Sequence, residues 1–123
     1  MRNWRPLSVI ILDLDNFKLV NDELGHMTGD KVLKDVASIL KTSIRAIDIP
    51  GRWGGEEFLI ICPETDIEGA KLVAGRIIQK VREFAFSSNR KQTSSAGIAS
   101  LTEDHTLETM LTRADKSLYA AKS

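Results

Sequence analysis

The spacing of hydrophobic and polar residues changes several times along the chain, and each change indicates a new element. Residues 7–15, LSVIILDLD, form an almost unbroken apolar run that ends in two aspartates, which predicts a buried strand. Apolar residues then recur at helical spacing, first in a short segment that Gly25 ends and next over residues 29–47. The first half of the chain therefore predicts one strand followed by two helices.

The second half alternates in the same way. Gly54 and Gly55 separate the dipeptide RW from the run FLIIC, which predicts a β-hairpin with GGEEF at its turn. Thr65 and Glu68 have capping-box spacing and predict the start of a third helix, after which come a weaker strand, TSSAGIASL, and a last helix. The order β-α-α-β-β-α-β-α predicts an α/β chain of the α+β type, with a central, mostly antiparallel sheet flanked by helices.

Composition narrows the classes of function. The 17 Lys and Arg residues balance 17 Asp and Glu residues, so no basic field attracts nucleic acid, and we expect no DNA or RNA partner. No apolar run is long enough to span a bilayer, so we expect no membrane contact by the domain itself. The one cysteine, Cys62, lies inside FLIIC and predicts a small buried side chain in a reducing compartment, the cytoplasm.

Acidic residues stand at the end of the first predicted strand and at the turn of the predicted hairpin. Asp13 and Asp15 share one face of the first strand, and Glu56 and Glu57 follow the hairpin glycines. If the two strands are neighbours, the carboxylates approach one another, raise one another's pKa and become stable together around a cation. Hard oxygen ligands of this kind suit Mg²⁺. The alternative is a polar strand end beside a polar turn, but the combination of D-x-D with GGEEF favours a metal site that a phosphate can approach.

Longer motifs occur in a fixed order. ILDLDNFKLVNDELGHMTGD precedes RAIDIPGRWGGEEF, and RADKSLYAAK follows in the last helix. Together these stretches resemble the GGDEF domain family, the diguanylate cyclases, over about residues 8–122. The resemblance implies a fold like that of nucleotidyl cyclases and polymerase palms. It also implies Mg-dependent synthesis of cyclic di-GMP from two GTP, with release of two pyrophosphates, in bacterial second-messenger signalling.

The resemblance also implies roles for the acidic residues. Asp13, the backbone carbonyl of Leu14 and Glu56 would ligate Mg²⁺ or Mn²⁺, and Asp15 is a further candidate ligand. Glu56, or its neighbour Glu57, would assist deprotonation of the ribose 3′-OH that attacks the second nucleotide.

Further matching positions would bind the nucleotide. Asn21 and Asp30 would read guanine, because a carboxylate accepts hydrogen bonds from N1–H and N2–H of guanine, whereas adenine offers neither donor there. Without the resemblance, Asn21 indicates only an exposed helix position, and Asp30 a favourable acid in the first turn of a helix. The remaining positions that match the substrate site are Lys18, His26, Gly54, Gly55 and Lys122, of which the two lysines would contact the triphosphate.

A second site is implied for the product. Arg45-x-x-Asp48 precedes the hairpin at the place where the family has an inhibitory site for cyclic di-GMP, and Arg76 matches a further contact. Taken alone, an R-x-x-D pair indicates only a weak surface ion pair. Because the pair stands at the position of the family's inhibitory site, we expect product inhibition.

The domain prediction is one GGDEF core over residues 1–123, without counterparts of the family's N-terminal helix and C-terminal strand. This pattern is typical of a fragment of a longer cytoplasmic or membrane-anchored parent, and it predicts an apolar sheet face left open. The family chemistry needs a homodimer, because each domain supplies one GTP. Two alternatives stay open: a receptor that binds cyclic di-GMP or GTP without turnover, and a cyclase or polymerase-type enzyme for another nucleotide.

Overall fold

The computed structural model describes residues 5–86, 88–101 and 106–122, and within them the chain forms one four-stranded sheet and four helices. The strands are β1 (Leu7–Leu14), β2 (Ile49–Arg52), β3 (Glu57–Pro63) and β4 (Ser94–Ser100). The helices are α1 (Phe17–Leu24), α2 (His26–Ser43), α3 (Ile67–Glu83) and α4 (Leu107–Lys122). This order confirms the predicted β-α-α-β-β-α-β-α succession and the α+β class.

Strand β1 lies in the interior of the sheet. The strand order is β2-β3-β1-β4, and β1 pairs antiparallel with both β3 and β4. Its residues Val9, Ile10, Ile11 and Leu12 are all fully buried, because helices cover both faces of the sheet at this point. Burial on both faces explains why this segment reads as a continuous apolar run rather than as an alternating one.

The two faces of the sheet carry separate cores. The larger core packs α1, α2 and α3 against β1 and β3, and the smaller one packs Met110, Ala114 and Leu118 of α4 against Val9 and Ile11. Cys62 belongs to the larger core, as predicted, and burial raises the pKa of its thiol to about 11. Among the described residues, no helix has the length and apolar character needed to cross a membrane.

The second helix differs from its predicted bounds. The expected range was residues 29–47, but α2 begins at His26, directly after Gly25, and ends at Ser43. Ile44 has an extended backbone, and Asp48 accepts a hydrogen bond from the Arg45 N–H at 2.9 Å, which stabilises a turn at this point. The apolar residues at 44 and 47 thus belong to a turn, although their spacing is helical.

The predicted cap of the third helix was also wrong. The N-cap of α3 is Asp66, whose side chain accepts from the Gly69 N–H at 2.8 Å, whereas the Thr65 hydroxyl donates to the Pro63 carbonyl. In the neighbouring sheet, Pro50 lies within the edge strand β2. An edge strand tolerates a proline, because one side of it has no pairing partner.

Helix α4 approaches the sheet closely at Gly97 in β4. A methyl group at this position would overlap the Ala114 carbonyl oxygen and the Leu118 N–H, and would lie 2.8 Å from Leu118 Cβ. Two of these three atoms are backbone, so only a movement of α4 could make room. The glycine therefore sets the distance of α4 from the sheet.

Replacing Gly97 by alanine is expected to lower the free energy of unfolding by about 1–3 kcal/mol, the usual cost of overpacking a filled interior. The matched control is Gly51→Ala in β2, where a methyl group would meet nothing within 4 Å. Urea denaturation of both variants measures the difference. Equal stability of the two variants would contradict the assigned contact.

Candidate functional site

The pairing of β1 with β3 brings acidic residues together. Asp13 stands opposite Glu57 in the ladder, and the Leu14 N–H donates to the Glu56 carbonyl at 3.2 Å. The predicted approach of the hairpin glutamates to Asp13 is therefore confirmed. We call Asp13, Asp15, Glu56 and Glu57 the acidic cluster.

A lysine from the last helix lies beside this cluster. The Lys122 Nζ is 2.8 Å from Asp15 Oδ1 and 3.8 Å from Asp13 Oδ2. Asp15 also accepts hydrogen bonds from the hydroxyls of Thr93 and Ser95, each at 2.8 Å. The negative charge of Asp15 is thus offset by three short contacts, whereas that of Asp13 has only the longer contact with Lys122.

The pKa shifts reflect this difference. Burial raises the pKa of Asp13, the nearby Glu56 and Asp15 raise it further, and Lys122 opposes them only in part. The pKa of Glu57 is also raised, by burial and by the charges of Asp13 and Asp115. Burial acts on Asp15 in the same direction, but hydrogen bonds from Lys122, Ser95 and Thr93 outweigh it and lower the pKa of Asp15.

One atom of the cluster fits a metal ligand. Asp13 Oδ1 is buried and has no hydrogen-bond partner among the residues that the structure describes, so a negatively charged oxygen lacks compensation there. Within the described part of the chain, no three His, Cys, Asp or Glu side chains gather into an all-protein metal cage. Mg²⁺ does not need one, since it commonly takes one or two carboxylates and completes its shell with water and phosphate. The role of Asp13, Glu56 and the Leu14 carbonyl as ligands of such an ion stays a prediction.

The turn that carries the glutamates is braced by Arg52. Its guanidinium donates to the carbonyls of Gly54 and Gly55, at 3.4 and 2.6 Å, and lies 5.4 Å from the centre of the Phe58 ring. Neither turn glycine has a positive φ, so the turn itself does not require glycine. A methyl group at Gly55 would meet nothing within 4 Å, which leaves space at the tip for a ligand.

The candidate guanine readers lie on the two helices that Gly25 joins. Asn21 is partly buried on α1 and contacts Gly29 of α2, the residue that precedes Asp30. Neither Asn21, Asp30 nor His26 has a side-chain hydrogen bond to a described residue. Lys18 is exposed on α1, three residues before Asn21, and therefore on a neighbouring part of the helix surface. These polar groups are available to a ligand.

A groove of about 320 Å³ runs between α2 and β2 and begins at Asp30. The apolar side chains that line it are Leu33, Ala37, Leu40, Pro50 and Phe58. Lys34, Lys41 and Arg52 also contribute to its wall. An apolar groove with a few polar groups is typical of small-molecule sites.

The R-x-x-D pair is more than a surface ion pair. The Asp48 side chain is fully buried, and Arg45 Nη2 lies 2.7 Å from Asp48 Oδ1 and 2.9 Å from the Pro63 carbonyl. Burial would raise the pKa of Asp48, but the hydrogen bonds from Arg45 outweigh it and lower the pKa. Arg76 Nε donates to the Ser43 carbonyl at 3.0 Å, at the end of α2. Asp48 thus holds Arg45 in place, and direct contact of Asp48 with a ligand stays a prediction.

The sequence-based reasoning missed four residues at the site: Arg52, Thr93, Ser95 and Asp115. Ser95 stands opposite Asp13 in the β1–β4 register, so the hydroxyl residues that begin β4 were a usable signal. Asp115 affects Glu57 from α4, and no local pattern indicates this.

Asp13 and Asp15 have pKa shifts of opposite direction. Replacing each of them by asparagine is therefore predicted to change the stability of the metal-free protein in opposite directions. Asp13→Asn should raise the melting temperature at pH 7, because a raised pKa means that the charged carboxylate destabilises the fold. Asp15→Asn should lower it, because a lowered pKa means that the charge is stabilising. The Asp13 difference should shrink as the pH falls from 7 to about 4, because a carboxyl with a raised pKa is protonated above the ordinary range, whereas the Asp15 difference should shrink only below about 4, because its pKa is lowered. Calorimetry in the presence of a chelator tests this pair, and shifts of the same sign would contradict it.

A family profile and a known relative match nearly the whole chain. The profile of the family described as "Diguanylate cyclase, GGDEF domain" matches residues 1–123. The response regulator PleD of Caulobacter vibrioides is 41% identical over an alignment of 124 positions, which covers 96% of this chain and 27% of PleD. This chain therefore spans about a quarter of that relative's length.

Solved structures are similar over nearly the whole chain. The active GGEEF domain of a diguanylate cyclase from Vibrio cholerae has a TM-score of 0.91 and 41% identity, covering 96% of this chain and 77% of that one. The GGDEF domain of DgcB from Caulobacter crescentus, solved with c-di-GMP, has a TM-score of 0.89 and 30% identity, covering 95% and 72%. These likenesses confirm the predicted palm-like fold, and the chain belongs to the GGDEF domain family.

Proposed function

We propose that this chain is a Mg-dependent diguanylate cyclase domain that acts in the cytoplasm and condenses two GTP into cyclic di-GMP and two pyrophosphates. The observation that carries the proposal is the buried Asp13 Oδ1, which lacks a hydrogen-bond partner in the described part of the chain and lies near Glu56 and opposite Glu57 of the GGEE turn. An oxygen in this state is costly unless a ligand compensates it. A metal–triphosphate complex supplies the positive charge, and family membership makes GTP the expected nucleotide.

Guanine recognition is assigned to Asn21 and Asp30. Both side chains lack protein hydrogen bonds among the described residues, and Asp30 stands at one end of the groove between α2 and β2. The Asp30 carboxylate accepts from N1–H and N2–H of guanine. A site built on such hydrogen bonds rejects a base that cannot make them by a large factor, because its polar groups are then left unpaired.

The reaction forms one bond and breaks one bond at each α-phosphorus. The ribose 3′-oxygen of one GTP attacks the α-phosphorus of the other, the bond to the β-phosphate oxygen breaks, and pyrophosphate leaves. Glu56, or Glu57, accepts the 3′-OH proton, and burial raises the pKa of Glu57, which makes its carboxylate a better proton acceptor. Bound Mg²⁺ neutralises charge on the phosphates. Lys18 and Lys122 hold the triphosphate.

Two copies of the domain are needed for this chemistry. Each active site holds one GTP, and each 3′-oxygen must reach the other nucleotide, so the product forms between two domains that face each other. We propose a homodimer for this reason. The further proposal of product inhibition rests on Arg45 and Arg76, which lie on adjoining segments near the end of α2.

Purified protein incubated with GTP and Mg²⁺ should produce cyclic di-GMP that chromatography detects. Asp13→Asn and Glu56→Gln should each lower the rate by about 100-fold or more, because each removes a ligand or base at the reacting atoms. The matched control is Glu108→Gln, an exposed residue of α4, whose rate should equal that of the unmodified chain.

Other outcomes of this experiment distinguish the alternatives. Binding of cyclic di-GMP without binding of Mg·GTP would identify a receptor and contradict the cyclase. A product made from another nucleoside triphosphate would overturn the guanine assignment. GTP binding without product would point to a chain that does not form the facing dimer, which sedimentation measures directly.

Product inhibition predicts a specific role for Arg76. Arg76→Ala should weaken cyclic di-GMP binding by about tenfold, the value of one charge-assisted contact. The cost in stability should be small, since Arg76 makes a single hydrogen bond from an exposed side chain. Arg82→Ala on the same helix is the control, because this exposed arginine lies one and a half turns further along α3. Calorimetric titration with cyclic di-GMP measures the affinity of each variant. Equal affinities of the two variants would contradict the proposed inhibitory site.

A further inference from the structure

We propose that Gly29 is a positioning residue for guanine recognition, because its missing side chain gives the amide of Asn21 its place beside Asp30. The inference rests on the proposed function and adds a specificity determinant to it. Gly29 is buried where α1 and α2 meet, although glycine is among the least favourable residues in a helix interior. A buried helical glycine at a helix contact indicates that space is needed there.

The space at Gly29 is occupied by Asn21. A methyl group built on Gly29 would overlap Asn21 Oδ1, lie 3.0 Å from Asn21 Cγ and lie 3.2 Å from Phe17 Cζ. The overlapped atom is the end of a side chain and not backbone. An alanine at this position would therefore displace the amide and leave the two helices largely in place.

Asn21 and Gly29 each form a backbone hydrogen bond with Gly25, the residue between the two helices. The Gly25 N–H donates to the Asn21 carbonyl at 2.9 Å, and the Gly29 N–H donates to the Gly25 carbonyl at 3.1 Å. These two hydrogen bonds fix the backbone of Asn21 relative to the backbone of Gly29, and so they fix the contact between the two residues.

No hydrogen bond within the described chain holds the Asn21 amide. Its side chain makes no hydrogen bond to a described residue, so packing on Gly29 is what limits its position. Asp30 follows Gly29 directly, and one residue along a helix turns the direction of the side chain by about 100°. The amide therefore lies over the backbone of α2 next to the residue that carries the carboxylate.

The test is a double-mutant cycle on nucleotide binding. The ligands are the α,β-methylene analogues of GTP and ATP, whose α–β linkage cannot release pyrophosphate, so binding is measured without reaction. The variants are Gly29→Ala, Asn21→Ala and the double variant. The matched control is Gly75→Ala, a helical glycine of α3 where a methyl group would meet nothing within 4 Å.

Gly29→Ala is expected to weaken binding of the guanosine analogue by about tenfold, the value of one hydrogen bond to the base. Binding of the adenosine analogue should hardly change, since the phosphate contacts remain. In the Asn21→Ala background, Gly29→Ala should change the guanosine affinity by less than about twofold, because the amide that it displaces is already absent. Gly75→Ala should leave both affinities as they are.

Thermal stability is the second readout. Gly75→Ala should raise the melting temperature, as alanine does in an exposed helix. Gly29→Ala should gain less than Gly75→Ala, and removing Asn21 should restore that gain, because only the Phe17 contact then remains to be adjusted by a few tenths of an ångström. If Gly29→Ala fails to fold, recovery of folding in the double variant supports the contact, and no recovery overturns it.

The outcomes separate this inference from the proposed function. Failure of the unmodified chain to bind the guanosine analogue would count against the cyclase assignment. Normal binding by the unmodified chain together with equally tight and equally guanine-selective binding by Gly29→Ala would overturn the role of Gly29 alone. The same loss of affinity in the presence and in the absence of Asn21 would also overturn it.

Discussion

The antiparallel register between β1 and β3 determines the electrostatics of the whole site. The side chains of Phe58, Ile60 and Cys62 point into the larger core, and each is at most 2% exposed. A shift of one residue would turn all three to the other face, so the core holds the register. The same register places Asp13 opposite Glu57. Burial of one apolar side chain stabilises by roughly 1.5–3 kcal/mol, so several together outweigh the repulsion of two partly exposed carboxylates.

The fold compensates this repulsion unevenly. Lys122, Thr93 and Ser95 all contact Asp15, whereas Asp13 keeps a buried oxygen that has no hydrogen-bond partner among the described residues. A fold selected for stability alone would offset the charges of both aspartates to the same degree. The difference is understandable if Asp13 is kept for a ligand and Asp15 for the architecture around it. In that case the stability of the free protein is lower than the same sheet could provide.

The sequence predicted most of the elements from local pattern. The helices and strands follow from periodicity, whereas the approach of Glu56 and Glu57 to Asp13 was predicted only on the condition that the hairpin strand lies next to β1, as it does. Periodicity failed at Ile44 and Ile47, where the hydrogen bond between Arg45 and Asp48 makes a turn. The bond from Ser95 to Asp15 spans 80 positions in sequence, and the contact of Asn21 with Gly29 depends on how two helices pack. Neither can be derived from residue spacing alone.

The link between Lys122 and Asp15 also bears on how the protein is made. The two residues are 107 positions apart, and the lysine comes from the last helix whereas the aspartate follows the first strand. During synthesis the aspartates leave the ribosome long before their cation, at about 5–20 residues per second. For several seconds a nascent chain therefore carries the repulsion of its acidic residues without the compensating charge. The end of the sheet that carries the acidic cluster is thus expected to be the last part of the domain to become ordered on the ribosome.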